Sequence, residues 1–292
     1  MSNKNLLPKI LATMVLAVIF TVIGLMFSPL KSDLQDWLAL EYNSHINELM
    51  TSPNNYLMSE PEPIIGKSTN SSQIITNEIN DENSMLDIWF DRSQTQALIV
   101  QRQGKIVYER YGEDVKQGLN VNGMSMAKSV IAILIGIAID DELINSEKDP
   151  ISIYLPELTS SKYNRVEIRD LLRHTSGIQS SNRDLQDTLN NKLLNLSTRD
   201  LLFSDDKSFS YDNMNYHLLM LILQRLYQKP INEIIEAKVW QSLRLEDASI
   251  VTSSGYCCLF ATAKSWLAIG NLFFNPNNTI VSKTWLDKMV QD

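Results

Sequence analysis

The sequence predicts an α+β fold, an antiparallel sheet flanked by helices with a helical subdomain inserted, and three observations carry that prediction. Ala97-Leu98-Ile99-Val100, Gln103-Gly104 and Lys105-Ile106-Val107-Tyr108 read as strand, tight turn and strand, a β-hairpin. Val130–Ile139 is apolar on every face of a helix and stops at Asp140-Asp141-Glu142, which marks a buried central helix too short to cross a bilayer. Helical stretches then follow around Glu167–Arg173, Leu185–Leu194 and Asn215–Tyr227, separated by Asn, Asp, Ser and Gly clusters. Strands first and mostly helices afterwards is the order of an α+β arrangement.

With 292 residues, 44% apolar and 21% charged, the chain can bury one substantial core. Its formal net charge of −8 and the absence of a basic stripe argue against nucleic-acid binding, which needs clustered Lys and Arg to displace counterions from phosphates. The only cysteines, Cys257 and Cys258, are neighbours and cannot staple distant segments, so no disulfide framework is expected. Two cysteines and three histidines are too few for a zinc site, and no cofactor or metal is predicted.

Before the hairpin the chain changes character twice. Ile10–Phe27 is uncharged and strongly apolar, preceded by Lys4 and Lys9 and closed by Ser28-Pro29. That length approaches what a helix needs to cross a hydrocarbon core of roughly 30 Å. A transmembrane signal anchor over 6–27 is the expectation; a cleaved signal peptide is the competing reading, against which stands the lack of a small-x-small cleavage site. Both readings place the rest of the chain in an extracytoplasmic space, the periplasm in a Gram-negative bacterium. A polar stalk or linker over 28–86 follows, rich in Asn, Ser and Pro, with turn signals at Ser52-Pro53-Asn54-Asn55 and Pro61-Glu62-Pro63. The folded domain is expected over 87–292.

Ser-x-x-Lys occurs at Ser28–Lys31, Ser125–Lys128 and Ser204–Lys207, and context separates the three. The first abuts the apolar span and the third lies in an acidic run. The second opens the buried helix, where free N–H groups and the positive end of the helix dipole favour negative charge. A spacing of three puts both side chains on one helix face, and burial lowers a lysine's pKa, so Lys128 can act as a neutral base toward the Ser125 hydroxyl. The plainer alternative makes Ser125 a helix cap and Lys128 a side chain reaching for water. Tyr211-x-Asn213, the sole Tyr-x-Asn, precedes another apolar helix. A phenol near a lysine can pass a proton to a leaving group, and an amide can hold a substrate carbonyl; packing and capping are the alternatives for these two.

Gly123-Met124-Ser125-Met126-Ala127-Lys128-Ser129-Val130, then Val166–Ile178 with its His174-Thr175-Ser176-Gly177, then Tyr211-x-Asn213 before Leu218-Leu219, resembles the serine hydrolases related to class C β-lactamases and penicillin-binding proteins. Within that group Ser125–Ser129 and Gly255–Gly270 are most similar to the branch of 6-aminohexanoate-dimer hydrolase and esterases. The resemblance implies a β-lactamase/transpeptidase-like fold, Ser125 as nucleophile, Lys128 as its base, Tyr211 as acid and base on the leaving-group side, Asn213 as a substrate contact, and a small-molecule or peptide-like substrate. It implies a loop-shaping rather than catalytic His174. Two departures stand out. Asp212 occupies a position where the family usually carries Ser, and a carboxylate facing Tyr211 would raise the phenol's pKa. The family's third motif, Lys- or His-Thr-Gly or a Gly-rich equivalent, is not found: Lys283-Thr284 precedes Trp285, where the branch has a helix. The expectation is therefore a C-terminally truncated domain with an incomplete sheet, either a membrane-anchored serine hydrolase or a catalytically silent binding or scaffold protein on the same fold.

Overall fold

The structure is a computed structural model. It describes residues 62–67, 82–93, 95–158, 163–180, 202–203, 206–251, 255–275 and 277–291, all within one compact unit, Leu49–Asp292. The anchor expected over 6–27, most of the stalk, the helical stretch around Leu185–Leu194, and Ser28, Lys31 and Ser204 lie outside the described residues. Among the described residues no helix is long and apolar enough to cross a membrane.

Strand β1 is Glu62–Ile64 and helix α1 is Glu82–Arg92. The hairpin follows as β2, Ala97–Arg102, and β3, Lys105–Tyr111, antiparallel with Arg102 opposite Lys105. Gln103 and Gly104 both take positive φ, the conformation a two-residue hairpin turn requires and glycine adopts at no steric cost. Strand β4, Val121–Asn122, leads through a 3₁₀ turn, Met124–Met126, into helix α2, Ala127–Asp140. Then come α3, Ile168–Leu172; β5, Ile178–Gln179; β6, Leu202–Phe203; and α4, Asn213–Tyr227. Helix α5, Ile231–Ile235, runs through a π turn, Glu236–Trp240, into α6, Gln241–Leu243. Strands β7, Ala248–Ile250, and β8, Leu259–Ala261, and helices α7, Ala263–Asn271, and α8, Lys283–Gln291, complete the described chain.

The sheets are small and antiparallel: a four-stranded sheet in the order β1-β7-β8-β4, and two two-stranded ones, β2-β3 and β5-β6. Residues Glu62–Ile64, assigned to the linker from the turn signal Pro61-Glu62-Pro63, are an edge strand with Ile64 opposite Ala248 and fully buried. Proline is tolerated there because an edge strand can spare an N–H.

Helix α2 is the axis of the core. Ile131, Ile133, Leu134 and Ile135 are all 0% exposed, as the apolar-on-every-face pattern requires. Each such side chain taken out of water stabilises the fold by roughly 1.5–3 kcal/mol. Helix α8 closes on α2 where the sequence leaves room. A Cβ on Gly136 would lie 2.1 Å from Trp285 Cδ1, and the Trp285 indole N–H donates to the Ala132 carbonyl at 2.9 Å. Ser282 N to Asp140 Oδ2 (2.6 Å) and Lys288 to Glu147 (2.6 Å) tie the ends of this contact.

Candidate functional site

Ser125 sits in the 3₁₀ turn one step before α2, exposed, while Lys128 in the first turn of α2 is only 6% exposed. The turn is held from below: Met124 N donates to Asn122 Oδ1 (2.9 Å) and Gly123 N to the Leu259 carbonyl (2.9 Å). Asn122 is itself fully buried and opposite Phe260 in β8. Gly123 must be glycine here, because a Cβ would fall 2.1 Å from the Trp266 ring of α7.

The Lys128 amine is the hub. It donates to Ser125 Oγ at 3.2 Å, Asn213 Oδ1 at 3.0 Å and the Tyr256 carbonyl at 2.7 Å. Burial pushes its pKa below that of an ordinary lysine, and its interactions with Tyr211 offset part of that effect. Tyr211 OH donates to Ser125 Oγ at 2.9 Å from the other side, and the Lys128 nitrogen lies 4.9 Å from the centre of its ring. Burial raises the Tyr211 phenol, but the interactions with Lys128 and Ser125 outweigh it and leave the pKa below the usual value. All four residues singled out from the sequence, Ser125, Lys128, Tyr211 and Asn213, therefore converge on one oxygen and one nitrogen. Of the other Ser-x-x-Lys pairs, Lys207 instead pairs with buried Asp170 at 2.8 Å.

Three features around this centre go beyond the expectations drawn from the sequence. Tyr256 supplies a backbone carbonyl, which carries no side-chain signature. His174 is stacked on Tyr211 with ring centroids 4.4 Å apart and planes 23° from parallel, and its Nδ1 accepts from Asp212 N at 3.2 Å. It supports the phenol rather than touching Ser125. Burial and the Lys128 charge both hold its pKa below the usual histidine value. Cys257 and Cys258, which the sequence showed only to be unable to staple distant segments, are joined to each other in a disulfide. Asp212, the suspected perturber of Tyr211, is turned away: it caps α4 by accepting from Met214 N at 2.8 Å and receives Ser180 N and Oγ at 2.6 and 2.7 Å.

Residues 91–254 match the sequence model of the family described as Beta-lactamase. The chain belongs to the beta-lactamase family. Solved structures of the beta-lactamase fold agree with it over most of the chain, each at an identity that speaks to fold alone. A proposed 6-aminohexanoate-dimer hydrolase from Bacillus anthracis is 16% identical with a TM-score of 0.69, over 85% of this chain and 74% of that one. A class C beta-lactamase gives 15% and 0.58, over 71% and 67%. The D-amino acid amidase from Ochrobactrum anthropi SV3 gives 15% and 0.56, over 67% and 71%. No curated protein sequence matches the chain. The beta-lactamase family is one of serine hydrolases, so hydrolase chemistry holds for this chain at the family level.

Proposed function

We propose that the chain is a serine hydrolase that opens an amide, ester or β-lactam-like carbonyl through an acyl-Ser125 intermediate. The observation that carries the reading is the set of partners on the Lys128 nitrogen. In the neutral amine two N–H bonds point at acceptors that cannot donate back, the Tyr256 carbonyl and Asn213 Oδ1, and the remaining tetrahedral position faces Ser125 Oγ. That position holds the lone pair. Lys128 is thus aimed to take the Ser125 proton as Oγ attacks the substrate carbonyl.

Tyr211, on the opposite side of the same oxygen, protonates the leaving amine or alkoxide as the tetrahedral intermediate collapses. It then draws a proton from the water that attacks the acyl-serine, by the same path in reverse. Asn213 gives its Oδ1 to Lys128, and its amide NH₂ is the end suited to a substrate oxygen. The Ile10–Phe27 run supports display of this domain on the outer side of a membrane.

A fluorophosphonate probe, which phosphonylates activated serines, tests the reading. Wild-type protein is expected to be labelled on the tryptic peptide containing Ser125, and Ser125→Ala to be blank. Equal labelling of the two proteins, or a labelled residue other than Ser125, refutes it.

A further inference from the structure

The segment from Tyr256 to Phe260 touches both halves of the acylation centre. Its first residue gives the carbonyl that receives Lys128 Nζ at 2.7 Å, and Leu259 gives the carbonyl that receives Gly123 N at 2.9 Å, just ahead of Ser125. Between these two anchors lie Cys257 and Cys258, closed on each other. A disulfide between neighbours makes an eight-membered ring that includes the intervening peptide, so it restricts the backbone rotations joining one anchor to the other. Cys258 takes φ +70°, a conformation that side chains other than Gly, Asn and Asp rarely adopt, and the ring helps hold it there. The segment is packed tightly behind: a Cβ on Gly255 would lie 2.4 Å from Met220 Cβ on α4, and Cys258 is 1% exposed. Cys257 is half-buried and the more open of the two residues, so attack by a reagent is assigned to it.

We propose that the Cys257–Cys258 disulfide is a positioning element for the acylation site: closed, it holds the Tyr256 carbonyl on the Lys128 amine; opened by a dithiol, it releases that carbonyl and slows Ser125 reversibly. The proposal rests on Ser125 and Lys128 being nucleophile and base. Opening is ordinary thiol–disulfide exchange. A thiolate of the dithiol attacks Cys257 Sγ, the S–S bond breaks, and Cys258 leaves as a thiolate that takes up a proton. The second thiol of the reagent then attacks its own mixed disulfide and Cys257 leaves as a thiol. The protein gains two electrons and two protons, and the dithiol leaves as a disulfide. Such a bond persists in an oxidising compartment, which is where the apolar N-terminal run directs this domain.

Ring opening also changes what surrounds the amine. The titratable rings around Lys128 are Tyr211, with His174 stacked behind it, Tyr216 and Tyr256, the three tyrosine rings lying 4.9 to 5.8 Å from the nitrogen, and Glu147, Arg169, Arg173 and Lys288 line a cavity that Lys128 also lines. Burial is the largest cause of the lowered Lys128 pKa, so hydration of the loosened pocket is the change that Lys128 registers.

The test uses the full chain. Alkylation under denaturing conditions, read by mass spectrometry, is expected to modify neither cysteine before reduction and both after it. The rate of fluorophosphonate labelling at Ser125 is expected to fall about 10- to 100-fold on treatment with dithiothreitol and to recover on reoxidation, the size expected when a catalytic group is displaced by about 1 Å. Cys257→Ala/Cys258→Ala should match the reduced protein and ignore dithiothreitol. Competitive acetylation of Lys128 across pH, which needs no turnover, should show a higher midpoint in the reduced protein as water reaches the amine. Two thiols before reduction overturn the proposal, and so does one rate and one Lys128 midpoint in both redox states. If Ser125 is labelled in neither state the catalytic reading falls, and the Lys128 midpoint alone decides the positioning: a shift upholds it and no shift overturns it.

Discussion

On one side of Ser125 Oγ, Lys128 is 6% exposed and its nitrogen is held by three fixed oxygens; on the other, Tyr211 is 55% exposed and held by a hydroxyl contact and a stacked histidine. The contrast fits the roles proposed for the two groups. A lysine becomes a base near neutral pH only if burial disfavours its charge, so its site must be dry and its orientation fixed by acceptors. A phenol that hands protons to a leaving group and then receives one from water must face the place where both arrive, so it is left open and supported from behind.

The contrast can be broken from the buried side first. Lys128→Ala removes the proposed base and leaves Asn213 Oδ1 and the Tyr256 carbonyl facing a void; Ser125 labelling is expected to fall on the order of 10⁴-fold, measured as a second-order rate with the fluorophosphonate probe. In the wild type the same rate should rise with pH as Lys128 loses its proton, with a midpoint below that of a free lysine because burial depresses it. Tyr211→Phe keeps the stack on His174 and deletes only the hydroxyl. Its cost is expected to be about 10²-fold and to fall on turnover of an amide more than on that of an ester with a good leaving group, which needs no proton; equal losses on both would place Tyr211 elsewhere in the cycle. His174→Ala removes the support while leaving both the hydroxyl and the base. A loss of about 10-fold is expected, with the pH midpoint of Ser125 labelling changed far less than the rate.

These residues also show which parts of the molecule the sequence displays. The hairpin was readable because Gln103-Gly104 is a turn with a mechanism, and α2 because a helix apolar all round has to be buried. Ser125, Lys128, Tyr211 and Asn213 were readable because side chains with particular chemistry recur at family spacings. The Tyr256 carbonyl was not, since every residue carries one and only the fold selects which is aimed at Lys128. The role of His174 was readable only as a loop former. Its stacking on Tyr211 depends on two loops, held together by the Ser210 N to His174 carbonyl bond at 2.8 Å. Strand β1 was hidden by Pro63 and the preceding Pro61, and the disulfide by the rule that adjacent cysteines cannot bridge distant segments, which holds here and says nothing about their bridging each other.

The last expected effect concerns stability rather than rate. His217 on α4 is 0% exposed, and among the described residues neither ring nitrogen has a partner. Burial pushes its pKa down to about 4. The unfolded chain therefore binds a proton that the folded one does not between pH 6.5 and about 4, and stability should fall by up to about 3 kcal/mol as pH drops through that window. Urea midpoints for wild type and His217→Leu at pH 7 and pH 4.5 measure it. Equal pH losses in the two proteins would show that His217 is not the group responsible.

Helix α2 carries Lys128 on a cylinder of Ile, Leu and Ala with little to distinguish one azimuth from another. Rolled about its long axis, such a rod would still be greasy on every side, and oil-like attraction alone does not index it. The notch at Gly136, filled by Trp285 about two turns beyond Lys128, is a key in a keyway. It assigns the helix one rotational setting, and with it the compass bearing of the lysine.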